Sequence, residues 1–204
     1  MQLAVILVVI AFVVWLILRS RSRPKTVVDM SVIPEHFIVL DLETTGLNAD
    51  RNKIIEIAAI KAHRDSNTHE TLSCLIKIKG KVPEKITQLT GITDEMIAAE
   101  GDTIEEALPK FIEFFGDLRL VSFNAPFDMG FLQAAAKAQG LSIRNPYSCA
   151  LDMARRAWPG RKSYKLAELA KDGKLTTQSH RALQDCQLAL TIYTTAAVVL
   201  RSDR

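Results

Sequence analysis

Residues 39–47, VLDLETTGL, carry two carboxylates at the end of an apolar stretch and directly before a turn. The stretch predicts a buried strand, and side chains two positions apart on a strand point to the same face. Asp41 and Glu43 are therefore predicted to lie side by side. Two like charges this close repel each other, which raises the question of a positive group between them. For this pair taken alone, a strand end that faces water is the favoured interpretation.

Two further acidic residues lie where they could join this pair. Asp128, in FNAPFDMGFL (123–132), is the one charge in an apolar helix start that follows a predicted strand. Asp185, in SHRALQDCQLAL (179–190), opens a helix that is apolar on nearly every side afterwards, and a buried aspartate needs a partner. Taken singly, Asp128 could be a helix-dipole partner and Asp185 a member of a salt bridge.

Taken together, the four carboxylates are at strand ends and helix starts that a compact sheet would bring to one edge. Clustered carboxylates bind hard divalent cations, typically Mg²⁺ or Mn²⁺. Two such ions can clamp an in-line phosphoryl displacement. His180, five residues before Asp185, is predicted on the loop at the helix start, where it could take a proton from the attacking water. A surface histidine is an equally weighted interpretation of that spacing alone.

The periodicity predicts three strands and then alternating helices and strands, hence a mixed sheet flanked by helices. Strands are predicted at 37–40, 53–61, 71–78 and 118–123. Helices are predicted at about 103–115, 126–140, 148–157, 165–171 and 180–200.

The N-terminus has a different character. Residues 3–18, LAVILVVIAFVVWLIL, are uncharged, and RSRSRPK follows them. A cleaved signal peptide would have its basic residues before the apolar core, and a core helix would not continue into a strongly basic run. We therefore expect a transmembrane anchor at 1–19, a basic linker at 20–35 and a catalytic domain at 36–204. The basic run predicts an inner (cytoplasmic) membrane protein with its domain in the cytoplasm.

Charge and cysteine content narrow the class of protein. Four of the 26 basic residues and none of the 23 acidic residues lie in 1–25, so the remainder has a net charge of −1. The isoelectric point of 8.8 therefore comes from the N-terminal region and does not indicate a basic nucleic-acid-binding body. The three cysteines form no CxxC motif, which suits free thiols and offers no zinc site.

The segments DLETTG (41–46), NAPFD (124–128) and HRALQD (180–185) resemble the three motifs of the DEDDh, or DnaQ-like, 3′–5′ exonucleases, typified by the proofreading epsilon subunit of bacterial DNA polymerase III. The resemblance covers about residues 36–198. It implies a ribonuclease H-like fold with a mixed five-stranded sheet and hydrolysis of nucleotides from a 3′ end. It also implies that Asp41, Glu43, Asp128 and Asp185 hold two divalent cations, with His180 as general base.

The resemblance further implies contacts with the terminal nucleotide from Thr44, Thr45, Gly46 and Leu47, and it allows one from Asn124. Two positions depart from the family pattern: Phe123 and Thr90 stand where many members have histidine. The expected substrate is nucleic acid with a free 3′ end, foremost single-stranded DNA. RNA or short-oligonucleotide trimming and a non-catalytic binding module are the alternatives. No polymerase partner is indicated, because the chain ends just past the last predicted helix.

Overall fold

The computed structural model describes residues 33–173 and 180–202, and its sheet has five strands in the order β3-β2-β1-β4-β5. The first three strands form an antiparallel meander, whereas β4 and β5 run parallel to β1. The mixed five-stranded sheet is thus confirmed. The strands are β1 (His36–Thr44), β2 (Ile54–His63), β3 (Glu70–Leu75), β4 (Leu120–Ser122) and β5 (Tyr147–Cys149).

Seven helices flank this sheet in the described part of the chain. The long last helix, α7, packs against β1, β2 and β4, and its contact face supplies much of one core layer. The helices are α1 (Glu84–Thr90), α2 (Asp94–Glu100), α3 (Ile104–Phe115), α4 (Ala125–Ala138), α5 (Ala150–Ala157), α6 (Leu166–Asp172) and α7 (Ala182–Ser202).

The central strand β1 is apolar from Phe37 to Leu40, as expected of a strand with helices on both faces of the sheet. Phe37 and Val39 pack with α5 and α7 on one face, while Ile38 and Leu40 pack with α3 and α4 on the other. Successive side chains of a strand point to opposite faces of the sheet, and this alternation extends to the two carboxylates. Asp41 therefore shares the α7 face of the sheet with Val39, and Glu43 does too, up to the bulge between Glu43 and Thr44.

Three short elements differ from the sequence-based prediction. Helices α1 and α2, with seven residues each, were not expected, and β5 has three residues where a helix start was expected. Thr90 ends α1 and is buried: its hydroxyl donates to the Ile86 carbonyl and accepts from the Ile92 N–H. Its side chain therefore supports the α1–α2 connection and is not presented to a substrate groove.

The predicted anchor at 1–19 and the linker up to residue 32 lie outside the described residues. Within the described part, the segment Ala182–Arg201 of α7 is long and apolar enough to cross a bilayer. This helix packs on the sheet, as core helices of the same composition do, and it is not the segment for which an anchor was predicted.

Candidate active site

Asp41 and Glu43 lie near the C-terminal end of β1, the central strand of the sheet. They are two positions apart and on the same face. Asp41 is opposite Ala58 and Glu43 is opposite Glu56 on the antiparallel neighbour β2. Glu43 is buried, and Asp41 is partly buried. Strand β1 thus presents adjacent carboxylates in a place where water solvates them poorly.

Asp128 lies in the first turn of α4, at the edge of the sheet where β1 ends, and it is 97% buried. This helix starts immediately after β4, the strand next to β1, so the chain has only the turn at residues 123–124 in which to reverse direction. The Ser122 hydroxyl donates to Asp128 Oδ2 and fixes the carboxylate. A side chain at the end of β4 therefore orients a residue of α4.

The third segment brings Asp185 and His180 together at the start of α7. Asp185 Oδ2 accepts the backbone N–H of His180 at 3.2 Å, although five residues separate them. Donor atoms of Glu43, His180 and Asp185 all lie within 4.8 Å of one another. His180 therefore lies on the loop that precedes α7, where the sequence predicted it.

Electrostatics tie all four carboxylates into one cluster. Burial, followed by the charges of Asp128, Asp185 and Glu43, raises the pKa of Asp41 well above its usual range. Burial, followed by the charge of Asp185, raises the pKa of Glu43 to about 8. Burial also raises the pKa of Asp128, to about 7, and that of Asp185. Without a cation, the cluster relieves its repulsion by holding protons near neutral pH.

The residues present fit a divalent cation. The Oδ1 atom of Asp185 is buried and has no hydrogen-bond partner among the described residues, so it is an oxygen ligand without a bonding partner. It belongs to a group of buried carboxylates, the donor type that hard divalent cations prefer. A cation there would satisfy this atom and offset the repulsion around Asp41.

The turn after β1 is held by its own hydrogen bonds. The Thr44 hydroxyl donates to the Gly46 carbonyl at 2.7 Å, and Thr45 Oγ1 accepts the Lys53 N–H at 2.9 Å. Thr45 therefore keeps a hydroxyl proton to donate elsewhere. A Cβ at Gly46 would lie 2.6 Å from Asn52 Nδ2, so the glycine is required by packing against Asn52.

Two other predicted contact residues lie at the surface near this edge. Leu47 is 87% exposed, which is unusual for a leucine. Asn124 is exposed at the start of α4, where its carbonyl accepts from Phe127 and its side chain makes no capping bond. Phe123 packs partly into the core beside α5 and α7. Both Leu47 and Asn124 thus have side chains available to a ligand.

Sequence reasoning missed one supporting contact and left the partners of another residue open. Ser122 carries no signal in the sequence, because its contact with Asp128 depends on how the chain turns after β4. Glu56 is an acidic residue in an apolar strand, which predicts either a satisfied structural carboxylate or a group that supports the site. The structure gives it partners 125 and 126 residues away, since its carboxylate accepts from the Arg181 guanidinium and from the Ala182 N–H. Contacts over such separations follow from the fold and not from local spacing.

The chain is similar to a family model and to several known proteins. A family model described as RNase_T, Exonuclease, matches residues 38–193. The DNA polymerase III subunit epsilon of Aquifex aeolicus is 37% identical over 176 residues, covering 85% of this chain and 86% of the relative. The PolC-type DNA polymerase III of Clostridium perfringens is 38% identical over 154 residues, which are 75% of this chain and 10% of that protein.

The fold has a close counterpart among solved structures. Escherichia coli Exonuclease I in complex with a dT13 oligonucleotide superposes with a TM-score of 0.73 at 17% identity, over 83% of this chain and 42% of that one. At this identity the likeness concerns the fold. The chain belongs to the RNase_T exonuclease family. It is a 3′–5′ exonuclease. Exonucleases of this fold use divalent metal ions.

This membership bears on two of the expectations drawn from sequence. The non-catalytic binding module is set aside, because the chain is an enzyme. The expectation that no polymerase partner is indicated finds no support, because the similar proteins include a polymerase subunit and polymerases.

Proposed function

We propose that the protein removes nucleotides one at a time from the 3′ end of single-stranded DNA by metal-dependent hydrolysis. The observation that carries this proposal is the convergence of Asp41, Glu43, Asp128 and Asp185, with an unsatisfied oxygen on Asp185. Clustered carboxylate oxygens are the ligands that hard divalent cations prefer, and bound cations offset the repulsion within the cluster.

The four carboxylates are proposed to hold two divalent cations, Mg²⁺ or Mn²⁺. All four offer oxygen donors, which suit these hard ions better than zinc or copper. When bound, two such ions supply Lewis-acid stabilisation of the phosphate and activation of water. Ser122 keeps Asp128 in its orientation, and the His180 N–H does the same for Asp185.

His180 is proposed to be the general base. It is partly exposed and precedes α7, so its ring has access both to the cluster and to solvent. A ring nitrogen of neutral imidazole can accept the proton of the attacking water at physiological pH. Glu43 and Asp185 are near enough to stabilise the imidazolium that forms.

The turn after β1 is proposed to hold the terminal nucleotide. Thr45 retains a hydroxyl proton to donate to the 3′ sugar, and Leu47 offers an exposed apolar surface to the terminal base. Thr44 and Gly46 set the shape of the turn, and Asn124 reaches toward the same edge from α4. DNA is favoured as substrate because Exonuclease I, of the same fold, is known in complex with oligonucleotides of dA and dT.

The test is a labelled-substrate assay. The protein would be incubated with 5′-labelled single-stranded DNA, the RNA of matching sequence and a 3′-recessed duplex, each with Mg²⁺, Mn²⁺ or EDTA. We expect a ladder that shortens from the 3′ end, fastest on single-stranded DNA, absent with EDTA and much weaker in His180→Ala. Faster cleavage of RNA would contradict the substrate assignment, and no cleavage at all would contradict the activity.

We propose in addition that residues 1–19 anchor the enzyme in the inner membrane, with the catalytic domain in the cytoplasm. The support is the uncharged run at 3–18 followed by the arginines and the lysine of 19–25. Removal of residues 1–25 is expected to release the protein from the membrane fraction while activity per molecule stays within about twofold. Sedimentation of the truncated protein with membranes would contradict the anchor.

A further inference from the structure

The backbone at His180 adopts a conformation that a histidine does not favour. Its φ is 74°, which makes it the one residue other than glycine with positive φ in the described part of the chain. Such a conformation persists only where neighbouring contacts enforce it. The contacts around the turn from His180 to Ala182 therefore decide where the imidazole points.

Glu56 of β2 supplies most of those contacts. Its Oε1 accepts from Arg181 Nη2 at 2.9 Å and from Arg181 Nε at 3.2 Å, while its Oε2 accepts the Ala182 N–H at 3.0 Å. The carboxylate thus takes the place of an N-cap side chain for α7, although it belongs to a strand. Arg181 and Ala182, the two residues that follow His180, are both hydrogen-bonded to the Glu56 carboxylate.

The surroundings of Glu56 make this tie rigid. Its side chain is 3% exposed, whereas that of Arg181 is 43% exposed, so the buried carboxylate is the fixed partner. Glu56 also lies directly opposite Glu43, and like charges in that position repel each other unless a cation compensates. Arg181 provides that cation. Burial and the charge of Asp185 raise the pKa of Glu43, and the charge of Arg181 lowers it.

We infer that Glu56 is a positioning residue for the reaction: it locks the start of α7 through Arg181 and Ala182 and thereby holds His180 over the carboxylate cluster. This inference rests on the proposed role of His180 as general base. Glu56 itself touches neither substrate nor the reacting atoms, and it acts through the turn that carries the base.

The test is a double-mutant cycle of Glu56→Gln with His180→Ala in the full chain. Glutamine keeps the size of Glu56 and one acceptor but loses the charge that holds the guanidinium. We expect Glu56→Gln to lower kcat at least tenfold with KM within about twofold. In the His180→Ala background the same change is expected to lower kcat less than twofold, because the group it positions is gone. Arg181→Lys, which keeps the charge, is expected to retain more activity than Arg181→Ala.

A second readout does not depend on activity. Hydrogen exchange of residues 180–185 in EDTA is expected to accelerate at least tenfold in Glu56→Gln while the exchange of β1 is unchanged. Glu168→Gln, which removes the charge from an exposed ion pair with Lys171 on α6, is the matched control and should behave as wild type. Equal loss of kcat in both backgrounds, or unchanged exchange, would overturn the inference. Inactive wild-type protein would instead contradict the proposed function, and this inference with it.

Discussion

Asp41 is the residue on which the repulsion within the site concentrates. The charges of Asp128, Asp185, Glu43 and Glu56 all raise its pKa, in addition to burial. A residue selected for stability would not be placed so, because the cluster destabilises the folded protein whenever its members are ionised. The arrangement makes sense as a site that a cation completes.

Asp41→Asn is therefore expected to separate activity from stability. Exonuclease activity should fall more than about 100-fold, because an amide is a poor ligand for a divalent ion and carries no charge to attract it. The midpoint of thermal unfolding in EDTA at pH 8 should be equal to or above that of wild type, because asparagine resembles the protonated aspartic acid. Activity assays and thermal unfolding measure the two effects.

Asp50→Asn is the matched control for this variant. Asp50 is exposed in the β1–β2 connection a few residues away, and its side chain has no role in the proposed chemistry. Both activity and unfolding midpoint should stay at wild-type values. A loss of stability in Asp41→Asn without loss of activity would mean that the carboxylate is structural.

Individual residues were predictable to the extent that their chemistry is local. The spacing of Asp41 and Glu43 gives their common face directly, and the motif around Asp185 places His180 before the helix. The partners of Glu56 and the packing of Asn52 against Gly46 depend on chain segments that meet only after folding. No local pattern encodes such contacts.

At the scale of elements, the turn between β1 and β2 is a small unit with its own internal bonds. Asn48 and Asn52 pair through the Asn48 N–H to Asn52 Oδ1 and the Asn52 N–H to the Asn48 carbonyl, at 3.0 and 2.8 Å. The Asn52 side chain then lies against Gly46. The Asn52 side chain consequently packs against the proposed nucleotide-binding turn at Gly46.

Gly46→Ala is expected to disturb this turn, and Asn52→Ala is expected to relieve the disturbance. The added methyl would overlap the Asn52 amide and force it from its bond to Asn48, at a cost of about 1–3 kcal/mol in the free energy of unfolding. Because the turn shifts, KM for single-stranded DNA should rise. Gly46→Ala with Asn52→Ala should recover most of the KM change, as steady-state kinetics and denaturant unfolding would establish.

The single variant Asn52→Ala serves as the control for that pair, since it loses the bond to Asn48 without any overlap. Independent, additive effects of the two substitutions would contradict the packing explanation.

The longer elements were predictable, and so were some short ones: α6 has seven residues and β4 has three, and both were expected where they lie. The exceptions are β5, α1 and α2. Strands β1 and β2 and helices α3, α4 and α7 have enough residues for their apolar period to be read, and the structure has each within a few residues of its predicted bounds. Strand β5 has three residues and is a strand only by virtue of its parallel pairing with β4. Helices α1 and α2 are defined by their ends, including the cap of α2 by Thr93, more than by a periodic face.

At the scale of the whole molecule, the carboxylate cluster links folding to pH. In the folded protein the pKa of Glu43 is about 8 and that of Asp128 about 7, against usual values of 4.5 and 3.8. Well below 3.8, the usual pKa of the aspartate, both groups are protonated in the folded and the unfolded chain. Between there and about pH 8 the folded state keeps protons that the unfolded state has released, so stability falls as pH rises.

The metal-free protein is therefore expected to lose thermal stability from pH 5 to pH 8.5, by at least about 5 °C in the unfolding midpoint. Mg²⁺ or Mn²⁺ should restore the midpoint, and more so at the upper end of this range, because ionised carboxylates bind the cation and binding to the folded state alone stabilises it. Unfolding scans in EDTA and in excess metal, at steps of half a pH unit, give both curves. In Glu43→Gln with Asp128→Asn the EDTA curve should become less steep, since two of the four carboxylates whose pKa is raised are gone. A wild-type midpoint in EDTA that stays level or rises over this range would show that the four carboxylates are not held together in solution as they are in the fold described here.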